Sequence, residues 1–200
     1  MTNFDSRAQG WDKNVVLHEL AETVGAIIRK TIPQEVTLTG LEIGSGTGLL
    51  GLTIAKLFQK ITFVDASAEM LVFLRDKICR AKINDKTTIL KIDLDHEKLP
   101  GTYDCIFSQM MLHHVHNTEK LFAALKDNLN PNGYLFFADL YIEDGSFHGE
   151  TIVPHNGFDP ATIKKILTRL GFSVTIHENI FTIEKESGIF PIFLIAAQKI

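Results

Sequence analysis

Residues 41 to 50 read Leu-Glu-Ile-Gly-Ser-Gly-Thr-Gly-Leu-Leu: an apolar strand with an acid near its end, three glycines at alternate positions, and the start of an apolar helix. Glycine takes positive φ without strain and leaves no Cβ between backbone and ligand. A strand-to-helix turn built on Gly44, Gly46 and Gly48 therefore points to a nucleotide-like cofactor. A dinucleotide turn spaces its glycines G-x-G-x-x-G and aims helix N–H groups at a pyrophosphate. Here the third glycine comes one residue early and Leu49 stands in its place. Glu42 would repel phosphate but can pair with a cation such as an amino group, so the expected ligand carries positive charge.

Working outward, 200 residues that are 45% apolar and 22% charged fit one soluble α/β domain able to bury a full core. The net charge of -4 and the lack of a lysine or arginine cluster argue against a nucleic-acid partner and for a small molecule. Cys79 and Cys105 lie in apolar periodic segments at no metal or redox spacing, and read as buried reduced thiols of a cytoplasmic protein. The opening Met-Thr-Asn-Phe-Asp-Ser-Arg lacks an apolar signal core, and no stretch approaches the roughly 20 apolar residues of a membrane span.

Val15, Val16, Leu20, Val24, Ile27 and Ile28 recur at helical spacing, which predicts a helix over 14 to 30, ended by Pro33. Strands are predicted at 37 to 43, 61 to 65, 87 to 92, 103 to 108 and 133 to 139, with helices near 48 to 58, 67 to 81 and 118 to 129. Such alternation makes a parallel, doubly wound sheet. The end breaks the rhythm: a helix over 160 to 170, opened by Asp159-Pro160 and closed by Gly171, precedes two β-rich runs, 172 to 183 and 189 to 199. The five residues between them are too few for a parallel crossover, so the last strand should run antiparallel.

The acid-Ile-Gly-Ser-Gly-Thr-Gly turn, five parallel strands and terminal antiparallel hairpin together resemble the class I S-adenosylmethionine-dependent methyltransferases of the small-molecule group. The likeness covers nearly the whole chain, is strongest at Glu42 to Gly48, good at Phe63-Val64-Asp65-Ala66-Ser67 and Ile92-Asp93-Leu94, and looser beyond Tyr103-Asp104. It implies a Rossmann-like seven-stranded sheet, mostly parallel with an antiparallel C-terminal strand. It also implies S-adenosyl-L-methionine as cofactor and S-adenosyl-L-homocysteine as product. Glu42 and the backbone of Gly44, Ser45, Gly46 and Gly48 would hold the methionine end. Asp65, with Ala66, ends the second strand where nucleotide folds place a ribose-binding carboxylate, although an acid two residues before the N-cap candidate Ser67 also favours a helix start. Asp93 and Leu94 would meet the adenine, and Asp95 leaves that register open.

Phe4-Asp5-x-x-Ala8-x-x-Trp11-Asp12 resembles the opening of the same group, where the first helices cover the cofactor. The expected division is therefore one domain over 1–200, with 1–35 as helical lid and 36–200 as cofactor-binding core. The Trp11 ring could face a sulfonium or simply pack the lid. After the fourth strand, Ser108-Gln109-Met110-Met111-Leu112-His113-His114-Val115-His116 would line the cofactor at Gln109 and open toward the acceptor. Its three histidines match no common metal spacing, so no metal is expected.

Methyl transfer is an in-line displacement that needs alignment and exclusion of water, and a base only where the acceptor arrives protonated. His148 and His155, in the irregular stretch after the fifth strand, are the leading base candidates, with His113 and His114 behind them. Two rivals stay open. A non-catalytic S-adenosylmethionine-binding regulator would share fold and site, and a nicotinamide-dependent oxidoreductase is opposed by the glycine spacing and by the missing Tyr-x-x-x-Lys pair. The acceptor, the methylated atom and the oligomeric state carry no sequence signature.

Overall fold

A computed structural model describes residues 8–33 and 38–200. A short helix α1 (Ala8–Trp11) leads to α2 (Val15–Thr31), whose first turn is capped by Asn14 Oδ1 accepting from the Val16 N–H. Then come β1 (Leu38–Ile43), α3 (Leu49–Ile54), β2 (Phe58–Asp65), α4 (Ala68–Ala81), β3 (Thr87–Lys91), β4 (Tyr103–Gln109) and α5 (Thr118–Asp127). The chain closes with β5 (Leu129–Leu140), α6 (Pro160–Arg169), β6 (Phe172–Lys185) and β7 (Gly188–Lys199).

The strands form one seven-stranded sheet in the order β3-β2-β1-β4-β5-β7-β6. All pairings from β3 to β5 are parallel, and β7 runs antiparallel to both β5 and β6. The order reverses between β1 and β4, and it is beside such a switch that ligands bind at the carboxyl ends of strands.

Alternation along the strands builds two apolar layers. Phe63, Cys105, Phe107, Phe136 and Ala138 join α2, α3 and α4 on one face, where Phe58 stacks on Phe107 with ring centroids 5.6 Å apart. Leu41, Ile43, Val64, Ile106, Leu135 and Phe137 join α5 and α6 on the other. Burying each such side chain contributes about 1.5–3 kcal/mol, enough to fix which face each residue takes.

Several boundaries differ from the sequence expectation. Helix α3 stops at Ile54, and Ala55–Leu57 tighten into a 3-10 turn, which starts β2 early and lets Phe58 lie against Gly40. Strand β5 begins at Leu129, its irregular start absorbed by Asn132 at φ 62°. The closing hairpin is tighter than expected: Lys185 pairs with Gly188, leaving only Glu186 and Ser187 between the strands. Cys105 is buried as expected, but Cys79 is exposed because it sits on the outer face of α4. No helix among the described residues is long and apolar enough to cross a membrane.

Candidate functional site

The chain must reverse from β1 into α3 within five residues, and all three glycines take left-handed conformations, with φ of 61° at Gly44, 52° at Gly46 and 77° at Gly48. The turn is pinned to β2 by the Ser45 N–H donating to the Val64 carbonyl at 2.9 Å. Packing then separates the glycines into two kinds. A Cβ on Gly44 would stand 2.0 Å from Met111 Cγ, and one on Gly48 would stand 2.5 Å from Leu74 Cδ1. A Cβ on Gly46 would meet nothing nearer than Trp11 Nε1 at 3.8 Å. Gly44 and Gly48 serve the close approach of protein to protein, while Gly46 borders open space.

Two carboxylates frame that turn. Asp65, at the carboxyl end of β2, accepts from the Gly46 N–H at 2.6 Å through Oδ2 and from the Ser67 N–H at 2.8 Å through Oδ1. Ser67 in turn caps α4, accepting from the Met70 N–H, so Asp65 supports the helix start as well as the glycine turn. Glu42 is buried beneath the turn and accepts from the Gly51 N–H at 3.1 Å. Burial raises the Glu42 carboxyl well above the usual carboxylate range; the Gly51 bond and the Lys77 charge pull it down, and Asp65 pushes it further up.

These groups open onto a cavity of about 670 Å³, inside the range usual for small-molecule and cofactor sites. Its walls take in Glu42, Gly44, Ser45, Gly46, Asp65, Ala66, Asp93, Leu94, Gln109 and Trp11, ten of the residues singled out as a cofactor site. Gly48 lies behind the wall, in contact with Leu74. Asp93 is exposed at the rim, where it accepts from the Asp95 N–H and faces His96 Nδ1 at 3.1 Å, whereas Asp95 is tied to His116 Nδ1 at 2.7 Å. Each carboxylate thus has two partner atoms, and the Asp93 side chain is the more exposed, 51% against 22%. Ser45 Oγ and Gln109 Oε1 are buried in the lining without a hydrogen-bond partner among the described residues. Buried polar atoms of this kind call for a polar ligand or water, and this acceptor-rich lining suits a ligand that presents several hydrogen-bond donors.

The N-terminal helices close one side. Asp12 receives a hydrogen bond from Thr47 Oγ1 and pairs with Lys77 Nζ at 3.0 Å, which holds Trp11 over Gly46. Phe4 and Asp5 of the opening motif lie outside the described residues.

The far wall is rich in imidazole. His113, His114 and His148 line the cavity, with the His113 ring centroid 4.1 Å from His114 and 4.8 Å from His148. His155 does not line it. Its ring packs on Phe158, and its N–H donates to the His113 carbonyl at 3.2 Å, so it supports the wall from behind. His113 Nδ1 lies 2.6 Å from Asp139 Oδ1, both side chains being buried. Asp139 was not among the residues picked out from the sequence. The signal available was a lone acid in Phe136-Phe137-Ala138-Asp139-Leu140, since a carboxylate inside a strand covered on both faces requires a partner. Among the described residues, no three His, Cys, Asp or Glu are placed to hold a metal ion.

Residues 41–135 match the family model of the methyltransferase domain. The chain is 26% identical over 149 residues to an uncharacterised methyltransferase of Schizosaccharomyces pombe, covering 66% of this chain and 52% of that one. It is 25% identical over 124 residues to the ubiquinone biosynthesis O-methyltransferase of Shewanella pealeana, covering 62% of this chain and 49% of the relative. The chain thus spans about half the length of these curated relatives. Its fold is that of a SAM dependent methyltransferase from Aquifex aeolicus, with a TM-score of 0.71 at 19% identity over 98% of each chain.

Proposed function

We propose, on the premise that this chain carries the class I S-adenosylmethionine-dependent methyltransferase fold and family domain, that it is an enzyme transferring a methyl group to a small-molecule acceptor. The observation that carries the reading is the cavity at the reversal of strand order, where the open side of Gly46 adjoins the Asp65 carboxylate at the carboxyl end of β2. S-adenosyl-L-methionine would supply a methyl group on a positively charged sulfur, leaving S-adenosyl-L-homocysteine.

In this reading Asp65 holds the ribose hydroxyls, with Ala66 beside it. Asp93 and Leu94 hold the adenine. Glu42, Gln109 and the backbone of Gly44, Ser45 and Gly46 surround the methionine end, with Gly48 setting the turn. Trp11 covers the site, and the described part of residues 1–35 acts as the lid of a single domain whose core is 36–200. The protein's contribution to rate is alignment of two reactants and exclusion of water. A molecule the size of a metabolite, not a nucleic acid, suits what remains of a cavity of about 670 Å³ once a cofactor is seated. The unpaired thiols Cys79 and Cys105 support a reducing, cytoplasmic setting.

Calorimetric titration with S-adenosylmethionine, S-adenosylhomocysteine and NADH tests the cofactor before any acceptor is chosen. Micromolar binding of the first two and none of NADH supports the reading. Binding of NADH alone would replace it with an oxidoreductase, and binding without transfer to any acceptor would leave a regulator.

A further inference from the structure

The turn after β4 places His113 on the cavity wall, and β5 places the carboxylate of Asp139 behind it. His113 is 1% exposed and Asp139 0%. Asp139 Oδ1 lies 2.6 Å from His113 Nδ1 and also accepts from the Leu140 N–H at 2.8 Å, while Oδ2 accepts from the His113 N–H at 3.3 Å. A carboxylate in this position only accepts, so the imidazole hydrogen sits on Nδ1 and the lone pair is left on Nε2. The ring lines the cavity that also contains Gly46, Asp65 and Gln109.

We propose that His113, held in this tautomer by Asp139 as a positioning residue, is the general base of the transfer, and that the acceptor presents a weakly acidic hydroxyl group. The proposal rests on the methyltransferase reading of the cavity. A thiolate or carboxylate nucleophile arrives without its proton and needs no base, so a built base implies a nucleophile that is still protonated. Among protonated nucleophiles, the surroundings favour oxygen. The imidazoles of His114, on its own turn, and His148, on the loop after β5, adjoin the His113 ring, and the same cavity is lined by Glu184 and Lys185 of β6 and by Glu42, Asp65, Asp93 and Asp95. The imidazoles beside the His113 ring can each donate an N–H to a forming oxyanion, the charge that a hydroxyl acceptor develops.

The step balances without a further reactant. The hydroxyl proton passes to His113 Nε2, and the new oxygen–carbon bond forms as the carbon–sulfur bond breaks, its electron pair remaining on the neutral sulfur. The imidazolium is stabilised by Asp139 until it returns the proton to solvent.

Two measurements test this on the intact protein. Long-range nitrogen–proton NMR of the imidazoles at neutral pH should find His113 protonated at Nδ1 and bare at Nε2, with Asp139→Asn shifting the population to the other tautomer. Labelled-methyl transfer to a panel of ring-substituted phenols, with alkyl thiols for contrast, should then be compared in wild type, His113→Gln and Asp139→Asn. The expected result is roughly 10²–10⁴-fold lower kcat in His113→Gln with KM little changed, and loss of the limb in which rate falls toward low pH. Asp139→Asn should show a smaller fall and Asp139→Glu partial rescue. S-adenosylhomocysteine affinity within about twofold of wild type certifies that each variant is folded. A protonated Nε2, unchanged kcat in both variants, or transfer only to thiols or to none of the phenols overturns the proposal while leaving the cofactor reading intact. Absence of S-adenosylhomocysteine binding by wild type overturns the methyltransferase reading, and this inference with it.

Discussion

Asp12 and Lys77 are 65 residues apart in sequence and 3.0 Å apart in the fold, joining the segment after α1 to α4 across Thr47 of the glycine turn. The Lys77 side chain is 24% exposed and that of Asp12 37%, so the pair works in partly screened surroundings. It contributes about 0.2–1 kcal/mol as an ion pair, and the Thr47 bond adds about 0.5–1.5 kcal/mol.

Asp12→Ala should therefore speed S-adenosylhomocysteine dissociation about 5–30-fold, the factor for a loss of about 1–2 kcal/mol. Stopped-flow displacement reads the rate directly. Asp12→Asn, which keeps an acceptor for Thr47 but not the charge, should lie between the two. Equal rates in all three proteins would mean that the lid does not gate the cavity.

The three glycines should separate by phenotype. Gly44→Ala meets Met111 at 2.0 Å and should lose stability by about 1–3 kcal/mol from overpacking, with more lost to the left-handed backbone. In a chain of this length that lowers Tm by about 2–4 °C per kcal/mol. Gly46→Ala has room and should cost only the backbone strain, yet weaken S-adenosylhomocysteine binding at least tenfold by placing a methyl group in the cofactor's path. Thermal melts paired with calorimetry decide the matter, and a Gly46→Ala protein with wild-type affinity would remove that residue from the site.

Asp65 carries two loads, so its replacement needs two readouts. Asp65→Ala should weaken cofactor binding by about 1–3 kcal/mol, the scale of hydrogen bonds to a charged group. It should also destabilise the apo protein, because the Gly46 and Ser67 N–H groups lose their acceptor. A change in affinity below a few tenths of a kcal/mol would assign Asp65 to the turn and helix start alone.

Glu42 should show opposite signs for stability and binding. Its carboxyl is raised by burial, so the folded protein holds the proton through a pH window in which the unfolded chain has lost it. In that window stability falls as pH rises, from the ordinary carboxylate value of about 4 up through the raised value. Glu42→Gln can keep the Gly51 bond without the charge. Its Tm should exceed that of wild type at neutral pH and converge with it below about pH 4, while affinity for S-adenosylhomocysteine falls. A constant Tm difference across the range would show that Glu42 is not the titrating group.

Local chemistry made most of the scaffold legible. Asp159-Pro160 starts α6, and Gly44, Gly46 and Gly48 bend β1 into α3, because cap and turn preferences act within a few residues. Boundaries slipped where a distant partner intervened, as when Phe58 extends β2 to lie against Gly40. Glu42, Gly44, Asp65, Asp93 and Leu94 were readable because each lies at or just beyond the carboxyl end of a strand, and the carboxyl ends of parallel strands converge by construction. The imidazole-lined wall was not. From the sequence, His148 and His155 looked equivalent, seven residues apart in one irregular stretch, and only the folded loop brings the first into the cavity and turns the second onto Phe158. Asp139 and His113, 26 residues apart, meet because neighbouring parallel strands set β5 beside the turn after β4. What the sequence by itself determined, then, was the order of elements and the ligand-facing turns, which depend on short-range backbone and side-chain preferences. What only tertiary structure decided was which distant polar side chains share a buried space, because that depends on loop paths and strand neighbours that no local interaction encodes.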